Sequence, residues 1–154
     1  MSKKLKTIFY IAILGCVCYI IKTKILDLVI GNYLLNKKIE KYQKRLEDAS
    51  TPSSPKDNDT PITLYTLASM YHDKLMDYEK ALIQYQRILN EFPHCDFAEL
   101  VQYMVGDCYE NMKHFELAIN EYQKYLEKYP NGKQSEMLHQ KIKELELLQK
   151  KDIS

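Results

Sequence analysis

The residues of this chain whose types could do chemistry are its four histidines, four cysteines and thirteen tyrosines. His72, His94, His114 and His139 show no metal-ligand spacing on a shared helical face. His114 falls at a turn between two helical stretches, where solvation is expected. Cys95 and Cys108 are too widely spaced for a zinc knuckle, and Cys16 and Cys18 lie in an apolar run. Buried thiols acting as small hydrophobes are expected rather than a disulfide framework. The chain has only four glycines, and they form no Gly-rich phosphate loop. No Ser/His/Asp or Cys/His set is suggested. The expectation is therefore a non-enzyme with no cofactor and no metal. Recognition chemistry remains. Tyr65, Ser69 and His72 recur 38 residues later as Tyr103, Asp107 and Glu110. Tyrosines with acidic neighbours suit a peptide of apolar and partly basic character.

Those residues sit beside a pattern written twice. Tyr78, Ala81, Tyr85, Ile88 and Pro93 recur as Phe115, Ala118, Tyr122, Tyr125 and Pro130, an offset of 37. Self-similarity at a period of this size signals stacked helix pairs that make surfaces for other proteins. In the first helix of each pair, Leu64, Leu67, Ala68 and Tyr71 match Gln102, Val105, Gly106 and Tyr109 at an offset of 38. The first unit thus holds one extra residue in its turn, within Lys74–Asp77. Ala68 and Gly106 are small enough for the second helix to approach closely. Pro93 and Pro130 stop the second helices. Tyr65, Ser69, His72, Tyr103, Asp107 and Glu110 fall on the stripe next to the core stripe. They are expected to face a concave, peptide-binding groove. Alternatively, the two tyrosine rings pack on the last helix or on the linker.

The spacing Leu-x-x-Leu-Ala-x-x-Tyr followed by Tyr-x-x-Ala-x-x-x-Tyr and proline resembles a tetratricopeptide repeat. The second unit is similar, with Gln102 where a large apolar residue is usual and Lys113 in place of the turn glycine. The helix endings at Phe92-Pro93 and Tyr129-Pro130 resemble bacterial cell-envelope members of that family. Examples are the lipoprotein of the β-barrel assembly machine and the Tol–Pal coordinator. The resemblance implies a short α-solenoid that binds a protein or peptide segment. The alternative is a structural subunit packed permanently in a membrane complex, or an assembly-type outer-membrane lipoprotein.

Charge divides the chain. Residues 1–60 carry eleven Lys+Arg against six Asp+Glu, and residues 61–154 carry eleven against fifteen. An acidic repeat region argues against nucleic acid, which needs a clustered basic stripe. The basic half suits membrane flanks. Lys3, Lys4 and Lys6 precede an uncharged run from Thr7 to Ile21, and Lys22 and Lys24 follow it. That run is short of the roughly 20 residues of a full span, a shortfall that lysine snorkelling can meet. Residues 1–24 are read as a single-pass anchor. A lipoprotein signal is the rival reading, because Ile13-Leu14-Gly15-Cys16 resembles a lipobox and would make Cys16 the lipidated residue. The positive-inside comparison is near balance, so orientation stays open. A repeat domain in the periplasm follows from the envelope resemblance.

Leu28, Asn32, Leu35, Ile39, Tyr42, Leu46 and Ala49 step by fours and threes, a heptad seam. Residues 25–49 are read as a stalk helix, either solvated or self-associating through residues 28–49. Residues 50–61, rich in proline and serine, are read as a linker. Residues 62–133 hold the two repeat units. Residues 134–150 are a capping helix with Met137, Leu138, Ile142, Leu145 and Leu148 inward and Lys141 outward. The expected fold class is all-α: anchor helix, linker, two helix-turn-helix units and a cap.

Overall fold

The computed structural model describes residues 3–49 and 59–152, with side chains from residue 16 onward except those of 18, 49, 59, 151 and 152. Among the described residues every regular element is helical. They are α1 (Lys3–Ala49), α2 (Asp59–Ser69), a π-helical turn (Met70–Leu75), α3 (Tyr78–Glu91), α4 (Ala98–Asn111), α5 (Phe115–Lys128) and α6 (Ser135–Asp152). The chain divides into two units, Met1–Lys41 and Tyr42–Ser154.

In the first unit, α1 runs without a break across the boundary expected between anchor and stalk. Among the described residues no helix is long and apolar enough to cross a membrane. Most of the expected anchor lies outside the described side chains, and Cys16 is exposed. Large apolar side chains from Val17 to Leu34 point outward all round the helix. The heptad seam is used unevenly: Leu28 is 64% exposed while Ile39 is 6% exposed. In the second unit Leu46 is also buried, and Gln43 Nε2 donates to the Tyr71 hydroxyl at 2.9 Å. A self-associating seam over the whole of residues 28–49 is therefore not open. Residues 50–58 of the expected linker lie outside the described residues, and residues 59–61 already belong to α2.

The second unit is built from the repeat. Ala81, Tyr85 and Ile88 on α3, and Ala118, Tyr122 and Tyr125 on α5, are fully buried at steps of four and three. That spacing is the core stripe of an amphipathic helix. Each helix packs on the next, α2 on α3, α3 on α4, α4 on α5 and α5 on α6. Gly106 makes the α4–α5 approach possible, since a Cβ there would lie 2.4 Å from the Tyr122 ring. Gln102 is buried in place of an apolar residue because its amide donates to Glu121 Oε2 at 3.0 Å.

The extra residue of the first unit is absorbed as the π-helical turn. The Asp77 N–H reaches back to the Tyr71 carbonyl, whereas in the second unit the His114 N–H reaches the equivalent Tyr109 carbonyl one residue sooner. Each turn closes through a left-handed residue, Met76 at φ 53° and Lys113 at φ 61°. The usual turn glycine is thus replaced without changing the backbone conformation that favours it.

The last helix repeats how α4 begins. Cys95 N–H donates to Phe92 and Ala98 N–H to Cys95; Gly132 N–H donates to Tyr129 and Ser135 N–H to Gly132. So α6 stands as the first helix of a third unit. Leu138, Ile142 and Leu145 are buried as expected, but Met137 is 46% and Leu148 44% exposed, contrary to the sequence reading. Lys143 occupies the place of Gly106. His139, Gln140, Lys143 and Glu146 are exposed on that side, and so is Leu147, at 59%.

Candidate peptide-binding face

The first helices of the units carry all six residues singled out by the sequence, and all six are half-buried rather than free in a groove. Tyr65 lies against Tyr85 at 6.0 Å and against Phe97 at 5.4 Å. Tyr103 stacks on Tyr122 at 6.0 Å. Burial is the main reason both phenols titrate above the usual tyrosine value. Tyr65 therefore packs on its own repeat and on the residue that leads into α4, while Tyr103 packs against a cluster that includes Leu138, Ile142 and Leu145 of α6, as the alternative reading allowed for that ring. Ser69 Oγ donates to the Thr66 carbonyl at 3.0 Å.

His72, Asp107, Glu110 and Lys141 form a polar ladder across three first helices. His72 Nε2 is 2.8 Å from Asp107 Oδ2, and its Nδ1 is 2.7 Å from Asp73 Oδ1. Asp107 Oδ2 also accepts from the Asn111 amide at 2.9 Å. Glu110 Oε2 accepts from the Tyr122 hydroxyl at 2.7 Å and from Lys141 Nζ at 2.8 Å. Lys141 rests over the Tyr122 ring, 5.6 Å from its centre. Burial works against the Lys141 charge, but the hydrogen bond and charge of Glu110 outweigh it and hold its pKa above the ordinary lysine value.

Sequence reasoning missed Lys141. It assigned the side chain to solvent and found no cation on this face. The signal was the continuation of the period through Tyr129-Pro130, which makes α6 another first helix. It also missed that His72 would be turned toward Asp107. Tyr85 and Tyr122 are equivalent, as are His72 and Glu110. Tyr122 finds Glu110, but His72 is committed to the two aspartates. The Tyr85 hydroxyl is buried with no hydrogen-bond partner, and burial pushes its pKa up.

A second network sits where the second unit meets α6. The Tyr125 hydroxyl donates to Glu99 Oε1, which also accepts the Lys133 N–H at 2.8 Å. First the Tyr125 bond and then the Lys133 N–H hold the Glu99 carboxyl below the usual carboxylate range. Tyr125 is pushed up to about 12, by burial and then by Glu99. Gly132 leaves room for this contact, since a Cβ there would lie 2.4 Å from the Tyr125 oxygen.

Among the described residues no three of His, Cys, Asp and Glu converge as a metal site. His94, His114 and His139 are exposed. Cys108 is fully buried, and its thiol is pushed up to about 12 by burial and then by the Asp107 charge. That suits the expected inert packing role. An open depression lies at the helix turns, lined by Leu75, Met76, Asp77, Tyr78, Glu79 and Met112.

No curated protein matches the chain. The family model described as a tetratricopeptide repeat matches residues 100–132, the segment that holds most of α4, all of α5 and the turn into α6. Residues 100–132 form a tetratricopeptide repeat.

Proposed function

We propose that this chain is a membrane-anchored adaptor whose repeat unit holds a protein segment on the face of α2, α4 and α6 that carries the polar ladder. The single observation behind this reading is the tetratricopeptide repeat at residues 100–132, a helix-pair module that generally serves protein–protein binding. Charge narrows the partner. From Asp59 to Leu75 and from Ala98 to Asn111 the first two of these helices hold Asp59, Asp73, Glu99, Asp107 and Glu110 against Lys74, while α6 balances Glu136, Glu144, Glu146 and Asp152 with Lys141, Lys143, Lys150 and Lys151, so the excess of acid lies toward α2 and α4. A segment with basic and apolar side chains complements that face. The ladder adds preorganisation, because ordering these carboxylates is done before a partner arrives.

The anchor belongs to the same reading. It is supported by the uncharged run Thr7–Ile21 between lysines and by the exposed apolar side chains that follow. The envelope setting, with the repeats on the periplasmic side, rests on the helix endings at Pro93 and Pro130.

The test is site-specific photocross-linking in native membranes with the anchor intact. A benzophenone side chain replaces Tyr103 in one variant and Ile83, 59% exposed on α3, in another. Discrete partner adducts from position 103 and none from position 83 are expected. Adducts from position 83 alone would overturn the assignment of the binding face. Absence of adducts from both would favour the reading as a structural subunit held through other surfaces.

A further inference from the structure

Within the second unit we infer that the end of α1, residues 42–49, is the second helix of a further repeat that lacks a first helix of its own, and that it closes the array by docking on α2. This goes beyond the partner and anchor readings above and depends on neither. The second-helix signature occurs a third time in this segment. Tyr42-Gln43-Lys44-Arg45-Leu46 matches Tyr85-Gln86-Arg87-Ile88-Leu89 on α3 and Tyr122-Gln123-Lys124-Tyr125-Leu126 on α5. A contact is repeated as well. Gln43 Nε2 donates to the Tyr71 hydroxyl at 2.9 Å, as Gln86 Nε2 donates to the hydroxyl of the equivalent Tyr109 at 3.5 Å. The partners lie 28 residues apart in the first pair and 23 in the second, so the same contact is made across a connection five residues longer.

Burial separates the two faces that a second helix normally has. On α3, Ala81, Tyr85 and Ile88 face the first helix of their own unit and are fully buried. One step further round, Gln86 and Leu89 face the next first helix, where Gln86 meets Tyr109 of α4. The end of α1 keeps only the second of these faces. Gln43 bonds to Tyr71, and Leu46, in the place of Leu89, is 7% exposed. Arg45 takes the place of Ile88 and Tyr125 and is exposed, as are Lys44 and Asp48. The reason is in the chain: α1 runs unbroken from Lys3, so no turn and no paired first helix precede this segment. An apolar inner face under a charged outer one is what terminates a stack of repeats. Residues 50–58 then join two helices of the array. The face of α2 that a second helix covers is filled by the chain itself, while the face carrying the polar ladder stays available.

The experiment uses the full chain in mild detergent and follows hydrogen exchange of the α2 amides. Leu46→Asp should speed that exchange about tenfold or more, because it removes the packing over α2. Lys44→Asp, on the opposite side of α1, should leave it unchanged. Unfolding of every repeat by Leu46→Asp but not by Lys44→Asp would support the same conclusion. Milder variants keep the test sharp if Leu46→Asp does not fold. Gln43→Ala should lower the melting midpoint of the wild type and have much less effect in a Tyr71→Phe background, where the hydroxyl that it serves is gone. Equal shifts in the two backgrounds, or α2 exchange indifferent to Leu46→Asp, would overturn the inference and leave residues 42–49 as a solvated stalk. Protection of α2 that rises with protein concentration would also overturn it, in favour of a second copy covering Leu46.

Discussion

The imidazole of His72 spans from the first repeat unit to the second, its Nε2 2.8 Å from Oδ2 of Asp107. Its other nitrogen, Nδ1, is 2.7 Å from Oδ1 of Asp73. Both side chains of the inter-unit contact are mostly sheltered, 13% and 18% exposed. A hydrogen bond to a charged partner in that setting contributes about 1.5–3 kcal/mol. The expected outcome of a double-mutant cycle with His72→Ala and Asp107→Ala is a coupling energy of about 1–2 kcal/mol by thermal or denaturant melting. A value within error of zero would mean that the two units are joined by apolar packing alone.

The two equivalent tyrosines should respond oppositely to loss of the hydroxyl. Tyr122 donates to Glu110, and Glu110 also holds Lys141. Tyr122→Phe should therefore cost about 1–2 kcal/mol, as expected when a hydrogen bond to a charged group is lost. Tyr85 buries its hydroxyl without a partner. Tyr85→Phe should be neutral or stabilising by up to about 1 kcal/mol, because a buried unmet donor carries its desolvation cost. Paired melts decide it. A large loss at Tyr85→Phe would show that its hydroxyl is satisfied in solution.

Much of the repeat was legible because it rests on steric periodicity. Ala81, Tyr85 and Ile88 declare one buried face, and Gly106 declares a close approach that the Tyr122 ring takes up. Proline after Phe92 and Tyr129 marks the helix ends. The polar ladder was less legible, because the partner of each group lies about thirty residues away and depends on rotamers. Nothing local says that His72 turns to Asp107 or that Lys141 folds back to Glu110. The extra residue was legible as an insertion, but a hydrophobic pattern does not distinguish a longer loop from a π-helical turn. Tyr65 and Tyr103 were placed on the right helices, yet their rings are half-buried against Tyr85, Phe97 and Tyr122. Truncating them therefore costs packing as well as any binding.

The left-handed turn residues offer a stabilising change. Met76 and Lys113 adopt φ 53° and 61°, where a Cβ is crowded. The left-handed conformation costs a residue with a Cβ roughly 1–2 kcal/mol, and glycine returns about 0.5–1 kcal/mol of that through its freer unfolded chain. Lys113→Gly should raise stability by about 0.5–1 kcal/mol on balance. Met76→Gly should do the same, reduced by the little packing that a side chain 70% exposed provides. A melting temperature that falls in both variants would mean that the turns are not left-handed in solution.

Glu99 makes the fold's stability depend on acid in a defined direction. Its carboxylate accepts from the Tyr125 hydroxyl and from the Lys133 N–H, and these bonds hold its folded pKa below the ordinary value. A group depressed on folding stabilises the native state fully above its unfolded pKa, near 4.3 for glutamate. That contribution is lost as pH falls through the lower, folded value. Glu99→Gln keeps the size of the side chain but removes the charged acceptor. The variant should melt below wild type at neutral pH, and the gap should narrow steadily once the pH drops beneath the unfolded value. Tyr125→Phe removes the donor and should narrow the same gap, because the carboxylate then loses its first partner. Melting curves of the three proteins between neutral pH and about pH 2 test this. A gap between wild type and Glu99→Gln that is constant over that range would show that Glu99 acts through shape alone, and that the turn before α6 is held by the close approach of Gly132 to Tyr125 rather than by the carboxylate.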